Sequence, residues 1–431
     1  MSSTVRFGTD GIRGRAFQDI TPGLAYRLGR AVAEVLPSPV YVGYDTRESS
    51  PVLARAVLAG LRDGGVLATN LGVFTTPGVA VIAQRRGGCG IVVSASHNPY
   101  YDNGLKVLGP GGGKLDVPTE RALEAAVNAT AEPASYEFAD SPIEDSAEGE
   151  YVGHLRSLIP DDLSSLHVVL DCANGASSHV AHELFVATGA RVTTLYDQPD
   201  GVNINNGCGS THPDTLARTV VELGADLGLA FDGDADRLIA VDAEGRLRDG
   251  DDVMVLFGLD HERVDRGLVV TTMSNLGLRR AMERVGVEVV ETDVGDRNVL
   301  LGLEERGWLL GGEQSGHIIF RDLSPTGDGL LTGLKLAALV ARRGPLGVLC
   351  DQHWVRMPQE LVNVGADVYD DASARGLFET IRQRHDVNSD DVRLIIRRSG
   401  TEPLVRVMFE ATSEILVREY AESLRELFDL D

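Results

Sequence analysis

Three α/β domains of one architecture, followed by a smaller C-terminal α+β domain, are the fold this sequence predicts. Its 431 residues allow roughly three domains, give or take one. A short apolar run that ends abruptly in a polar loop recurs at domain spacing. Pro39–Gly43 leads into Tyr44-Asp45-Thr46-Arg47, Val168–Leu170 into Asp171-Cys172-Ala173-Asn174-Gly175, and Leu268–Val270 into Thr271–Asn275. Each run is followed by a helix-like segment and another strand, the signature of βα units. After about Arg356 the pattern changes to strands mixed with one or two helices.

Composition narrows the function classes. Hydrophobic residues make up 43%, enough for packed cores and too many for a disordered chain. No apolar run approaches the ~18 residues of a membrane span, and the first ten residues contain no apolar signal region, so a cytoplasmic protein is expected. The four cysteines (Cys89, Cys172, Cys208, Cys350) are scattered, which argues against a disulfide framework and a thiolate zinc site. A net charge of -24 excludes a nucleic-acid footprint. Only three of the 40 basic residues are lysines: Lys106, Lys114 and Lys335. Such a surface suits concentrated salt, and a GC-rich coding sequence would also enrich arginine. Any site for an anionic ligand on this chain must be locally basic.

The chain opens with Arg6-Phe7-Gly8-Thr9-Asp10-Gly11-Ile12-Arg13-Gly14, a glycine-rich loop around arginines. Helical periodicity runs from about Pro51 and ends at Gly64-Gly65. Ile91–Val93 reads as a buried strand that stops at Ser94-Ala95-Ser96-His97-Asn98-Pro99, and Pro99 bars an immediate helix. A hydroxyl on that turn stands clear of the sheet, where a ligand can meet it. Gly109–Lys114 resembles a nucleotide P-loop, but Leu108 and Leu115 replace its first Gly and its Ser/Thr, so it reads as a flexible loop. Asn128-Ala129-Thr130 is a chance glycosylation match, and His179 and His182 read as an ordinary helix face. Ala131–Glu150, rich in Ala, Glu, Ser and Pro, reads as a linker or surface segment.

The metal-type stretch is Asp232-Gly233-Asp234-Ala235-Asp236-Arg237, set between the strands Leu227–Phe231 and Leu238–Val241. A straight strand would spread the outer carboxylates by roughly 13 Å, so the backbone must curl before the three can share one small ion. Gly233 and Ala235 are small enough to let it. Arg237 and Ala243 stand where an EF-hand needs Gly and Glu, and all-oxygen ligation favours magnesium over zinc. Gly311–His317 offers Glu313, Ser315 and His317 on one turn, with donors and acceptors for sugar hydroxyls or an amine. Arg397-Arg398-Ser399-Gly400-Thr401-Glu402-Pro403 carries the parts of a phosphate nest.

Taken in order, Phe7–Gly14, Ser94–Lys106, Asp232–Arg237, Gly311–His317 and Arg397–Pro403 resemble the α-D-phosphohexomutases over nearly the whole chain. Asn203–His212, Val294-Gly295-Asp296-Arg297 and Gln314 point to the glucosamine branch of that family, while Arg398 and Asn298 depart from its usual Pro and Tyr. The resemblance implies a central cleft fed by one loop from each of four domains. They are 1–149 (phosphoserine loop), 150–245 (metal loop), 246–355 (sugar-binding loop) and 356–431 (phosphate-binding loop). It implies that Ser96 carries a phosphoryl group as phosphoserine. One Mg²⁺ would be held by Asp232, Asp234 and Asp236 with that group as a further ligand. Arg13, His97 and Arg237 would lie near the phosphoserine, and Lys106 and His317 would transfer protons or contact substrate. Gly295, Asp296, Arg297, Glu313, Ser315, Arg397, Ser399, Gly400, Thr401 and Arg406 would contact the sugar phosphate.

The implied reaction interconverts glucosamine 6-phosphate and glucosamine 1-phosphate through a hexosamine 1,6-bisphosphate intermediate, in a monomer or homodimer with no membrane or nucleic-acid partner. A mannose or glucose phosphate mutase, a metal-dependent sugar phosphatase and a non-catalytic sugar-phosphate-binding protein remain alternatives.

Overall fold

The computed structural model describes residues 5–8, 11–132, 135, 138–260, 267–398 and 403–430. Four sheets follow one another along the chain. The first holds β1 (Ile12–Arg15), β2 (Val40–Tyr44), β3 (Ala68–Val73), β4 (Cys89–Val93) and β5 (Asp102–Leu108), in the order β1-β5-β4-β2-β3. The second holds β6 (His167–Asp171), β7 (Arg191–Leu195), β8 (Leu227–Phe231), β9 (Leu238–Asp242) and β10 (Leu247–Arg248), in the order β10-β9-β8-β6-β7. The third holds β11 (Leu268–Thr271), β12 (Val289–Thr292), β13 (Leu310–Gly312) and β14 (Ile318–Phe320), in the order β12-β11-β13-β14. The last, β15 (Gln359–Gly365), β16 (Val392–Arg398) and β17 (Leu404–Ala411), is antiparallel throughout, with β17 central.

The first three sheets share one plan. Two neighbouring strands and the next to join them run parallel, and a fourth returns antiparallel: β2, β3, β4 then β5; β6, β7, β8 then β9; β11, β12, β13 then β14. The apolar runs seen in the sequence are buried strands of these parallel portions, and the three α/β domains with a small α+β tail are the observed architecture.

Sequence signals place the helices as well. Helix Ser50–Asp63 ends at Gly64 as expected, and Thr75, Asn275 and Asp328 cap Thr76–Arg86, Leu276–Arg284 and Gly329–Arg343 with side-chain oxygens. One departure lies at the N-terminus. Ile12–Arg15, read as part of a loop, is an edge strand paired antiparallel with β5. Another is Gly109–Lys114, which forms a 3₁₀ turn with Gly112 buried against the Ala80 carbonyl rather than a flexible loop. Ser146–Glu150, read with the linker, opens helix Ser146–Leu158, while His179 precedes the helix Ala181–Val186 that holds His182.

One apolar core runs from helix Thr76–Arg86 through the second and third sheets to helix Gly329–Arg343, so the three α/β domains share buried surface. The C-terminal domain keeps a core of its own around Val405, Val407, Phe409 and Tyr420. Among the described residues no helix is long and apolar enough to cross a membrane.

Candidate functional site

In each of the first three domains the connection from the third strand to the antiparallel fourth carries the chemistry. β4–β5 presents Ser96, β8–β9 presents Asp232 to Arg237, and β13–β14 presents Glu313 to His317. All three meet in one cleft.

Ser96 is buried, with φ +52°, a left-handed conformation that turns its hydroxyl out of the strand line. Its Oγ donates to Asp232 Oδ2 at 2.5 Å and lies 3.2 Å from His97 Nδ1. The loop is held from behind. Its backbone N–H donates to Ser94 Oγ at 2.9 Å, and Ser94 Oγ donates to Asp45 Oδ2 at 2.6 Å. Arg47, wholly buried, donates to Asp45 (2.8 Å) and to the carbonyls of Ser96 (2.8 Å), Asn98 (2.9 Å) and Pro99. From the second domain Asn205 donates to the carbonyls of Ser96 and Asn98 at 2.9 and 3.0 Å. Gly233 has to be glycine for contact reasons, because a Cβ there would fall 2.5 Å from the Ser96 carbonyl oxygen.

The expected curl of the aspartate loop is present. Ala235 takes φ +59° and its N–H bonds the Asp232 carbonyl at 3.0 Å, so carboxylate oxygens of Asp232, Asp234 and Asp236 lie within 4.8 Å of one another. All three are buried. Lys106 Nζ, also buried, sits 2.7 Å from Asp234 Oδ2 and 3.6 Å from Asp236 Oδ2, and Thr76 Oγ1 donates to Asp234 at 2.6 Å.

Burial, with the charges of Asp236 and Asp234 beside it, holds the Asp232 carboxyl well above the usual range. For Asp236 burial acts upward too, but Lys106, His317 and Arg237 outweigh it and hold the group well below. Asp234 Oδ1 and Asp236 Oδ1 are buried acceptors without a hydrogen-bond partner among the described residues. Three converging carboxylates with orphaned oxygens fit a hard divalent cation.

A cavity of about 490 Å³ opens over this cluster and is lined from all four domains, by Arg13, Arg237, Asp296, Glu313, His317 and Arg397 among others. His317 stands between Asp236 (Nδ1–Oδ2 3.7 Å) and Asp296 (Nε2–Oδ2 3.8 Å). Burial disfavours its charged form, but Asp236, Asp296 and Glu313 outweigh burial and push the imidazole up to about 9. His97 moves the other way, down to about 4, through burial and the nearby Arg237 and Arg13. Glu313 accepts from the Gly295 N–H at 3.0 Å.

An adjoining cavity of about 230 Å³, lined by Glu313, Ser315, Arg397 and Arg406, lies against the C-terminal sheet. Arg397 and Arg406 are direct cross-strand partners. Like charges placed opposite each other destabilise a sheet unless an anion lies between them.

The structure therefore brings together Arg13, Ser96, His97, Lys106, Asp232, Asp234, Asp236, Arg237, Gly295, Asp296, Glu313, His317 and Arg397, with Ser315 and Arg406 in the adjoining cavity. It engages Arg297 elsewhere. That guanidinium donates to Glu120 Oε2 (2.6 Å) and the Leu115 carbonyl (2.9 Å), and lines neither cavity. Ser399, Gly400 and Thr401 fall outside the described residues.

Sequence reasoning passed over Asp45, Arg47, Thr76, Asn205 and Lys114. Asp45 and Arg47 were visible as the polar end of a strand, and Asn205 lay in a stretch singled out for another reason. Nothing in the sequence marks Thr76. Lys114 had one signal, its being one of three lysines.

The sequence matches four domain descriptions in chain order. Phosphoglucomutase/phosphomannomutase alpha/beta/alpha domains I, II and III match at residues 4–134, 149–245 and 249–357, and the C-terminal domain at 360–427. Phosphoglucosamine mutase of Desulforudis audaxviator is 45% identical over 97% of this chain and 96% of its own. The Rhodococcus jostii protein of the same name is 44% identical over 97% and 98%. Among solved structures, a phosphoglucomutase/phosphomannomutase family protein from Burkholderia thailandensis superposes with a TM-score of 0.80 at 27% identity, covering 99% of this chain and 97% of that one. Aspergillus fumigatus N-acetylphosphoglucosamine mutase, solved with GlcNAc-6P and magnesium, shares the fold at a TM-score of 0.68 and 19% identity, covering 99% and 96%.

Proposed function

The chain belongs to the phosphoglucomutase/phosphomannomutase family, the α-D-phosphohexomutases, and on that premise we propose that it interconverts glucosamine 6-phosphate and glucosamine 1-phosphate. It is an isomerase that moves a phosphoryl group on small sugar phosphates. One observation carries the reading of its site: the Ser96 hydroxyl lies 2.5 Å from Asp232, so the phosphoryl-carrying oxygen and the carboxylate cage meet at one point. The amino-sugar name of its relatives supports the choice of substrate.

In this reading Ser96 enters the cycle phosphorylated. The bond from Ser96 Oγ to phosphorus breaks as a new P–O bond forms to the free hydroxyl of the substrate, and the hydroxyl's proton is relayed so that Oγ ends as an alcohol. The product is a hexosamine 1,6-bisphosphate. It turns over in the cleft, and the reverse transfer returns the other phosphoryl group to Ser96. A Mg²⁺ ion held by Asp232, Asp234 and Asp236 would neutralise charge on the transferring group.

A loose phosphoryl transition state asks for cations and fixed geometry more than covalent help. Arg13, Lys106 and Arg237 supply the cations, and the Arg47 and Asn205 bonds fix the serine. His97, neutral and 3.2 Å from Oγ, handles the serine's proton. Lys106 and His317 face the substrate hydroxyl. Glu313, Ser315, Gly295 and Asp296 take the sugar. Arg397 and Arg406, with Ser399, Gly400 and Thr401, hold the phosphate that is not reacting.

The test is a coupled assay of kcat/KM on glucosamine, mannose and glucose 6-phosphates. The amino sugar is expected to lead by more than about tenfold, roughly 1.4 kcal/mol of discrimination. A lead for a neutral sugar overturns the substrate assignment, and steady phosphate release without isomer overturns the mutase reading.

A further inference from the structure

The Gly109–Lys114 turn has no place in the chemistry above, yet it reaches the cleft. It follows β5, the strand that carries Lys106, and is closed by a Gly109 N–H to Gly113 carbonyl bond of 2.7 Å and a bridge between Leu108 and Lys114. From this turn of the first domain Lys114 Nζ crosses to the third domain and lies 2.7 Å from Asp296 Oδ2. The other oxygen of Asp296 accepts the Arg297 N–H at 2.7 Å, so the carboxylate is anchored at both ends.

Asp296 also faces His317 Nε2, but at 3.8 Å the gap is too wide for a hydrogen bond. That nitrogen is buried and has no hydrogen-bond partner among the described residues. The ring cannot back away from the cavity, because Gly327 packs flat on it and a Cβ there would fall 2.4 Å from Nε2. The imidazole is thus fixed with one unused nitrogen on the cavity wall. The only acid close enough to occupy that nitrogen among the described residues is tied to a lysine from another domain.

We propose that Lys114 is a positioning residue for the isomerisation: by holding Asp296 it keeps His317 Nε2 open to the sugar phosphate. Without Lys114, Asp296 Oδ2 is free to close the 3.8 Å gap and bond the imidazole itself. The inference rests on the mutase reading. Lys114 acts through Asp296 and touches none of the reacting atoms. Because it belongs to the first domain and Asp296 to the third, the contact also joins the two domains.

The experiment compares Lys114→Met, Lys114→Arg, Glu120→Gln and Asp296→Asn in steady-state kinetics on glucosamine 6-phosphate. Lys114→Met is expected to lower kcat by about 10- to 100-fold with KM within about threefold, and Lys114→Arg to recover most of the loss. Glu120→Gln loosens the same domain contact at Arg297 without touching Asp296, and is expected to keep kcat within about threefold. In an Asp296→Asn background Lys114→Met should cost much less than in the wild type, since the carboxylate it positions is gone.

Wild-type kcat in Lys114→Met overturns the proposal. So do equal losses in Lys114→Met and Glu120→Gln, which would make the contact a clamp only, or full additivity with Asp296→Asn. If instead the wild-type enzyme fails to isomerise amino-sugar phosphates, the mutase reading falls and not this assignment alone.

Discussion

Replacing Arg47 with methionine keeps most of the buried side-chain volume and removes a guanidinium with no solvent exposure. Two consequences can be sized separately. Asp45 would keep its bonds from Ser50 (2.6 Å), Ser94 (2.6 Å) and the residue 47 N–H (3.1 Å) but lose its only counter-charge among the described residues. Breaking a buried pair from one side costs about 3–5 kcal/mol, a large share of the ~5–15 kcal/mol that stabilises a domain. At the other end, the Ser96 and Asn98 carbonyls would still have Asn205, whereas Pro99 would keep only the Asp102 N–H at 3.1 Å. The loop then pivots about Asn205, and a shift near 1 Å at Ser96 Oγ costs about 100-fold in kcat.

The expected outcome is a fall of roughly 10 °C in the melting transition of the first domain by calorimetry, and a hundredfold loss of kcat assayed below both transitions. Arg47→Lys separates the effects. An ammonium can pair with Asp45 but cannot fork to three carbonyls, so stability should return in part while kcat stays low. Full kcat in Arg47→Lys would refute the claim that the fork places the serine. A melting transition within about 2 °C of wild type in Arg47→Met would refute the burial argument.

Ser96→Ala should fold normally, since among the described residues its hydroxyl bonds only Asp232 and His97, yet lose isomerisation by at least about 10³-fold and fail to take up a phosphoryl group by intact mass; turnover near wild type removes Ser96 from the chemistry. Arg397→Ala should raise KM by about 10- to 150-fold, the worth of one charge-assisted bond of about 1.5–3 kcal/mol, and leave the C-terminal domain equally or more stable because a like-charge pair with Arg406 is relieved; unchanged KM with lower stability would point to a structural arginine. Asp171, buried, is pushed up to about 6 by burial against the pull of the Ala173 and Gly209 N–H groups. Its folded form therefore holds a proton more tightly than its unfolded form. The associated stability, about 3 kcal/mol, is complete below about pH 4 and is lost as pH rises to about 6. Urea midpoints measured across that window should show this fall in the wild type and lack it in Asp171→Asn.

Strands and loops were readable from residues alone where one local rule governed them. Val40–Tyr44, Leu227–Phe231 and Leu268–Thr271 are apolar runs bounded by polar loops, and each is a buried strand. The aspartate loop could be argued to curl because three carboxylates at alternate positions have no other way to converge. What stayed hidden depends on contacts made across long sequence separation. Thr76 reaches Asp234 and Lys114 reaches Asp296 only after whole domains have packed, and no periodicity or spacing encodes that. Gly109–Lys114 misled for a related reason. Three glycines in a row suggest mobility, but the buried position of Gly112 against Ala80 is decided by a helix about 30 residues earlier.

The shared sheet plan explains why the site lies where it does. In each α/β domain the third strand ends at the cleft and the fourth returns antiparallel, so the chain reverses within five to eight residues, and one residue of each connection is left-handed. Ser96 (φ +52°), Ala235 (φ +59°) and Gly316 (φ +92°) fill that role in the three loops. Glycine would meet the demand without strain, and the third loop uses it. The first two do not, and each non-glycine costs about 1–2 kcal/mol. For Ser96 the reason is chemical, because the residue that reverses the chain is also the one whose hydroxyl must meet Asp232. The strain at that serine is then resisted by Arg47 and Asn205, whose bonds converge on its own carbonyl. On the proposed mechanism, a phosphoryl carrier built into the reversal itself can move only if that scaffold moves, which is the rigidity a loose transition state requires.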